Sequence, residues 1–220
     1  MSIEWQGLFT VKVFMSIKSL FPTQVYLSPL RSRAMANLNR YLLKEVRKIQ
    51  EIDSVGHEWC AKNYVGGYTS YGSMDNLHKM SPNFGELSAL IDKHVRAYIK
   101  SLELDLGGAK FWMNSCWVNV MPALAHHSFH IHPLSFISGT YYLKVPKGAS
   151  CIKFEDPRLS YFMGTPPRKL RCREENKPFF SVQPKEGQVV LFESWLRHEV
   201  PAHTSKQDRI SVSFNYSWDF

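Results

Sequence analysis

From residue 35 the apolar side chains recur first at intervals of three and four and later at intervals of two, and that change of period divides the chain. Met35, Leu38, Leu42, Val46 and Ile49 trace the stripe of an amphipathic helix, with Ser32 placed as its N-cap. A second stripe, Phe84, Leu87, Ile91, Val95, Tyr98 and Leu102, predicts a helix that starts near Pro82 and stops near Gly107-Gly108. Between the two, Asp53 to Ser81 is rich in Gly, Tyr and Ser and reads as a long ordered loop containing VGGYTSYGSMDN. Beyond Gly108 short alternating runs predict strands in KFWMNSCWVNVM, SFHIH, ISGTYYLKV, ASCIKFE, FFSVQ, QVVLFES and RISVSFNYSW.

Two helices followed by a series of short strands describe an α+β domain whose second half is a β-sandwich or barrel. Trp112, Trp117 and Trp195 are assigned to its core, since large aromatics dominate barrel packing. The stretch from Pro157 to Pro178 carries Arg158, Arg168, Lys169, Arg171 and Arg173 without strand alternation, and is an insertion or a basic flap over the substrate. At the start, Met1-Ser2-Ile3 recurs as Met15-Ser16-Ile17, which makes Met15 a candidate working start. The organisation expected is an N-terminal extension over 1–18 and one domain over 19–220, helical over about 32–105 and β over about 109–218.

Composition agrees with a globular chain: 220 residues, 44% hydrophobic and 14% aromatic. A net charge of +8 favours acidic partners without separating nucleic acid, a membrane surface, an acidic protein and a small polyanion. The four cysteines, Cys60, Cys116, Cys151 and Cys172, form no C-x-x-C pair, which speaks against a zinc knuckle or redox dithiol and for reduced thiols in a cytoplasmic protein. The first residues lack the basic and apolar regions of a secretory signal, and no run approaches the ~18 apolar residues of a membrane span.

The histidines change the picture most. His126, His127, His130 and His132 are bunched, and His198 lies far downstream in QVVLFESWLRHEV. A strand's period of two puts His130 and His132 on one face, where a third imidazole from a neighbouring strand completes one face of an octahedron suited to Fe(II). Against this, an isolated His-x-His pair reads equally well as one core and one surface histidine. Arg209 and Ser211 share a strand face in DRISVSFN and together offer a guanidinium fork and a hydroxyl to one carboxylate. The competing role for Arg209 is an ion pair with a residue such as Asp208.

The ordered set His130-Ile131-His132-Pro133, SGTYYLKVP, CIKFEDPR, LFESWLRHEVPAH and DRISVSFN resembles the 2-oxoglutarate–Fe(II) oxygenase family, of the superfamily that includes prolyl hydroxylases. With the entry LFPTQVY the resemblance covers roughly residues 19 to 218. It implies a double-stranded β-helix (jelly roll, cupin-like) with N-terminal supporting helices, using Fe(II), 2-oxoglutarate and O2 to hydroxylate a C–H bond and releasing succinate and CO2. Carried onto this sequence, His130 and His198 become iron ligands, Arg209 and Ser211 bind the 5-carboxylate of 2-oxoglutarate, and Asn119 and Tyr141 lie on strands near the co-substrate. One position departs from the superfamily, which has Asp or Glu where this chain has His132. Either His132 ligates the metal, which the shared strand face favours, or a carboxylate such as Asp156 or Glu193 arrives from elsewhere, Asp156 being more simply the partner of Arg158.

Two other readings stand beside this one: a three-histidine cupin-type dioxygenase without 2-oxoglutarate, and a non-catalytic metal-binding jelly roll. The substrate stays open between a polypeptide, an amino acid and a small acidic metabolite, with the likeness to prolyl hydroxylases favouring the first two. No membrane partner is indicated, no nucleic-acid motif accompanies the positive charge, and a homo-oligomer is left open.

Overall fold

The computed structural model describes residues 16–31 and 35–219, so the repeat at Met1-Ser2-Ile3, Met15 and the Ser32 cap lie outside the described residues. Both apolar stripes form helices. Met35–Ile52 (α1) buries Leu38, Leu42 and Val46, and Pro82–Ser101 (α4) buries Phe84, Leu87, Ile91, Val95, Tyr98 and Ile99. Ser81 caps α4 by accepting from the Asn83 N–H, with Pro82 in the first turn. Each fully buried side chain of this size contributes ~1.5–3 kcal/mol, so packing rather than helix propensity holds α4.

The strands make two antiparallel sheets. The larger runs β1 (Val25–Pro29), β8 (Gln188–Glu193), β5 (Ile137–Lys144), β10 (Arg209–Trp218), β3 (Phe111–Met121), β2 (Tyr68–Thr69). The smaller runs β4 (His127–His130), β9 (His198–Val200), β6 (Ile152–Glu155), β7 (Phe179–Val182). One face of the larger sheet meets the helices, where the hydroxyls of Tyr141 and Tyr216 donate to Asn39 on α1 at 2.7 Å and Asp92 on α4 at 2.6 Å.

The stretch from Asp53 to Ser81 is not a loop. It contains α2 (Ser54–Asn63), β2 and the short α3 (Leu77–Met80). Only Gly56 and Cys60 of α2 are buried, so there was no apolar stripe to read. What organises the segment is one buried carboxylate: Asp53 caps α2 by accepting from the Gly56 N–H at 2.9 Å, and also accepts from Tyr68 Oη at 2.7 Å and from Ser73 Oγ. Gly56 is required there, because a Cβ would come within 2.0 Å of Asp53 Oδ2.

Three smaller expectations change. Trp112 and Trp195 are 42% and 47% exposed rather than core, since their strand position and turn face outward. The segment between β6 and β7 has two 3-10 turns, Leu159–Phe162 and Glu174–Asn176, and borders a groove with residues 17–25. Strand β4 ends at His130, so His132 stands beyond it. All four cysteines are free, and among the described residues no helix is long and apolar enough to cross a membrane.

Burial pushes the Asp53 carboxyl up, but the hydrogen bonds from Ser73, Gly56 and Tyr68 and the nearby His57 outweigh it and leave its pKa lowered. A carboxyl depressed on folding contributes stability that is complete above its unfolded pKa, about 4, and is lost as pH falls through the folded value. Asp53→Ala should therefore cost about 2–4 kcal/mol in urea unfolding at pH 7, with a difference from the parent chain that shrinks below about pH 4.

Candidate active site

His198 opens β9 and sits opposite His130, the last residue of β4, as a register pair with ring centroids 4.3 Å apart. His132 joins them from outside the strand. Its backbone N–H donates to Ser194 O at 3.0 Å, which ties the segment after β4 to the turn after β8 and stacks its ring beside His198 at 5.2 Å. The convergence expected of His130 and His132 is thus real but owes nothing to strand period, because the ladder is irregular after His127 and has ended by His132.

The nitrogens of His130, His132 and His198 lie within 4.8 Å of one another, the one group of three such side chains placed to hold a metal ion among the described residues. His130 Nδ1 lies 2.7 Å from Ser128 O and His198 Nδ1 lies 2.8 Å from Leu196 O. A carbonyl only accepts, so both Nδ1 atoms carry the proton and both Nε2 atoms present lone pairs. Burial lowers all three pKa values, that of His132 to about 3 and that of His198 well below the usual range, with neighbouring imidazoles adding to the effect at His132 and His198. The Nε2 atoms of His132 and His198 face each other at 3.4 Å. Neutral imidazoles with converging lone pairs fit a divalent cation of the Fe(II) type.

Neither carboxylate alternative reaches this cluster. Asp156 is held by Arg158 through Nε at 3.0 Å and Nη2 at 2.8 Å and borders the groove beside residues 17–25. Glu193 is absent from the cavity wall that the histidines share.

That cavity has a volume of about 510 Å³. Alternation along the larger sheet builds its inner wall: Arg209, Ser211 and Ser213 from β10, Trp117 and Asn119 from β3, and Thr140 from β5. Ser211 and Asn119 are register partners, and Asn119 Nδ2 donates to Ser213 Oγ at 3.0 Å. Arg209 is 3% exposed, and its guanidinium stands 4.9 Å over the Tyr142 ring with a long contact of 3.8 Å to Met121 Sδ. Asp208 turns instead to Arg47 at 2.8 Å. Among the described residues no carboxylate pairs with Arg209, its Nε has no partner, and the buried hydroxyls of Tyr64 and Tyr142 are likewise unpartnered. A buried cation ringed by unused donors is a cradle for an anion.

Tyr141 does not belong to this wall: its hydroxyl is bound to Asn39 on the helical face, and the next residue, Tyr142, lies on the cavity side beneath Arg209. The alternation in SGTYYL carried that information, since Thr140 and Tyr142 share a face. Tyr64 and His127 went unpredicted; their rings stack at 4.0 Å in the cavity, and burial with the nearby His130 and Arg209 lowers the His127 pKa to about 3. The basic segment 157–178 contributes nothing to the cavity.

Residues 115–215 match the model of a family described as "Putative 2OG-Fe(II) oxygenase". This segment, a little under half of the chain, is thus similar to that family. A prolyl-4-hydroxylase from Pseudomonas putida superposes with a TM-score of 0.54 at 18% identity, over 88% of this chain and 92% of that one. The non-heme α-ketoglutarate dependent epimerase SnoN from nogalamycin biosynthesis gives 0.59 at 14%, over 89% and 78%. HygX from Streptomyces hygroscopicus, solved with nickel, 2-oxoglutarate and hygromycin B, gives 0.57 at 15%, over 89% and 83%. At such identities the likeness is one of fold, the double-stranded β-helix of 2OG-Fe(II) oxygenases, here as two sheets that do not close. No curated protein matches the chain in sequence.

The orphaned cation in this oxygenase fold gives a stability signature. Arg209→Met, which keeps the stem and removes the charge, should raise the unfolding free energy of the ligand-free protein by about 1 kcal/mol in urea, and added dicarboxylate should no longer shift the midpoint.

Proposed function

We propose that the chain is a 2-oxoglutarate- and Fe(II)-dependent oxygenase that hydroxylates a C–H bond of its substrate. The observation that carries this reading is that a cluster of three neutral imidazoles and an unpaired buried arginine open into one cavity. His130, His132 and His198 would hold Fe(II); Arg209, with Ser211 beside it, would hold the distal carboxylate of 2-oxoglutarate; Asn119 lines the same wall. Bound there, Fe(II) supplies activation of O2 coupled to decarboxylation of 2-oxoglutarate, giving succinate, CO2 and a hydroxylated product.

The chain's own part is positional and electrostatic. The carbonyls of Ser128 and Leu196 fix the tautomer and aim of two imidazoles, as outer partners of metal-bound histidines do. Trp117 at 5.9 Å from His132 and Phe192 at 4.5 Å from His198 pack against the rings and keep water off them. The family match and the HygX complex with 2-oxoglutarate support the choice of co-substrate. A cupin-type dioxygenase without a dicarboxylate co-substrate would leave Arg209 with nothing to bind. Residues 19–220 are read as the working domain, and four free thiols support a reducing compartment such as the cytoplasm.

The test is an anaerobic titration with Fe(II) and 2-oxoglutarate followed by the metal-to-ligand charge-transfer band, then measurement of succinate formed per O2 consumed. His132→Ala should lose metal uptake and the band, Asp156→Ala should keep both, and Arg209→Met should weaken 2-oxoglutarate binding about 30- to 5,000-fold, the 2–5 kcal/mol of a truncated buried pair. Full metal uptake by His132→Ala would refute the three-histidine assignment.

A further inference from the structure

Resting on the oxygenase reading, we infer that the outer part of the cavity binds a small anionic substrate with a flat apolar body, its negative group at Lys62 and its body against Trp59 and Tyr71.

The first ground is charge. Among the described residues no Asp or Glu lines the cavity, whereas Lys62, Arg209 and five histidines do. A divalent metal on three neutral imidazoles carries +2, doubly charged 2-oxoglutarate cancels it, and Arg209 leaves one positive charge over. A carboxylate at the position of His132 would have removed that surplus. Lys62, exposed and without an ion-pair partner among the described residues, adds a second cation at the mouth. An anion is the ligand that this field attracts and a cation the one it excludes.

The second ground is shape. Trp59, Lys62 and Asn63 stand at i, i+3 and i+4 of α2, and all three border the cavity. The Trp59 ring lies on the backbone of Gly72, where a Cβ would come within 2.5 Å of it, so the indole is held in place before any ligand arrives. From Trp59 the rings continue inward, Tyr71 at 6.1 Å, then Trp117 at 5.0 Å from Tyr71, then His132 at 5.9 Å from Trp117. A planar or apolar body laid along this row would point at the histidine cluster while its charge stayed near Lys62. The cavity volume of about 510 Å³ falls in the usual range for small ligands, ~300–1,000 Å³.

The experiment uses the full chain loaded anaerobically with Fe(II) and saturating 2-oxoglutarate, with 3-phenylpropionate, its neutral amide and 3-phenylpropylamine as probes in calorimetry. The carboxylate should bind about tenfold or more tighter than the amide, and the amine should not bind. Lys62→Met should bring carboxylate and amide within twofold of each other, and Trp59→Ala should weaken both about equally. The charge-transfer band is recorded on every sample. Its absence before probe addition overturns the oxygenase reading and this inference with it. A band that forms, followed by equal binding of the three probes or by discrimination that survives Lys62→Met, overturns only the inference. So does loss of the band on adding the carboxylate, which would mean that the probe had taken the place of 2-oxoglutarate, or tight binding of an acidic peptide where the small carboxylates fail.

Discussion

Strand β10 lies between β3 and β5, so both of its edges are hydrogen-bonded and only its two faces are free to differ. Every second residue, Ile210, Val212 and Phe214, is buried in the apolar core, while Arg209, Ser211 and Ser213 line the cavity. A slip of one residue would exchange those sets and place a guanidinium among Leu and Phe side chains. The apolar packing of α1 and α4 on the sheet is thus what keeps the charged residue in the cavity, and the site inherits its position from the core.

That arrangement sets stability against function within one side chain. Burying Arg209 without an anion leaves a desolvated charge that only the Tyr142 ring and a long sulfur contact offset. Cation–π contact returns ~1–2 kcal/mol in such places, short of what a paired carboxylate returns. Under the proposed function the same shortfall favours a dicarboxylate, which would complete an interaction that the fold leaves unfinished.

The parts of the molecule written in periodic apolar residues were legible in the sequence. Leu38, Leu42 and Val46, the stripe from Phe84 to Leu102, and the alternation around Arg209 gave their elements directly. Helix α2 was not legible, since it is held by Asp53 and by the fit of Gly56 to that carboxylate, and a single polar hub has no period. Tyr141 points away from the cavity for a different reason: side-chain direction in YY follows from strand phase, and Thr140 on the cavity wall puts Tyr141 on the opposite, helical face. The inward approach of His132 depends on a hydrogen bond to Ser194, a residue remote in sequence.

The exchange of a carboxylate for His132 and the acid-free wall of the cavity are one electrostatic statement made at two places. Had the wall carried an Asp or Glu near the mouth, the lost ligand charge would have been restored at a distance and the site would be near neutral. Among the described residues it carries none, and the α2 ionic group on the wall is Lys62. Under the proposed function, the metal on neutral imidazoles, Arg209 and Lys62 together carry more positive charge than 2-oxoglutarate removes, in a cavity bordered by Trp59, Tyr71, Trp117 and Phe192. In the proposed reading the group that neutralises this field comes from outside the chain, and the helix hidden in the Gly- and Tyr-rich stretch supplies the lysine and the indole that would meet it.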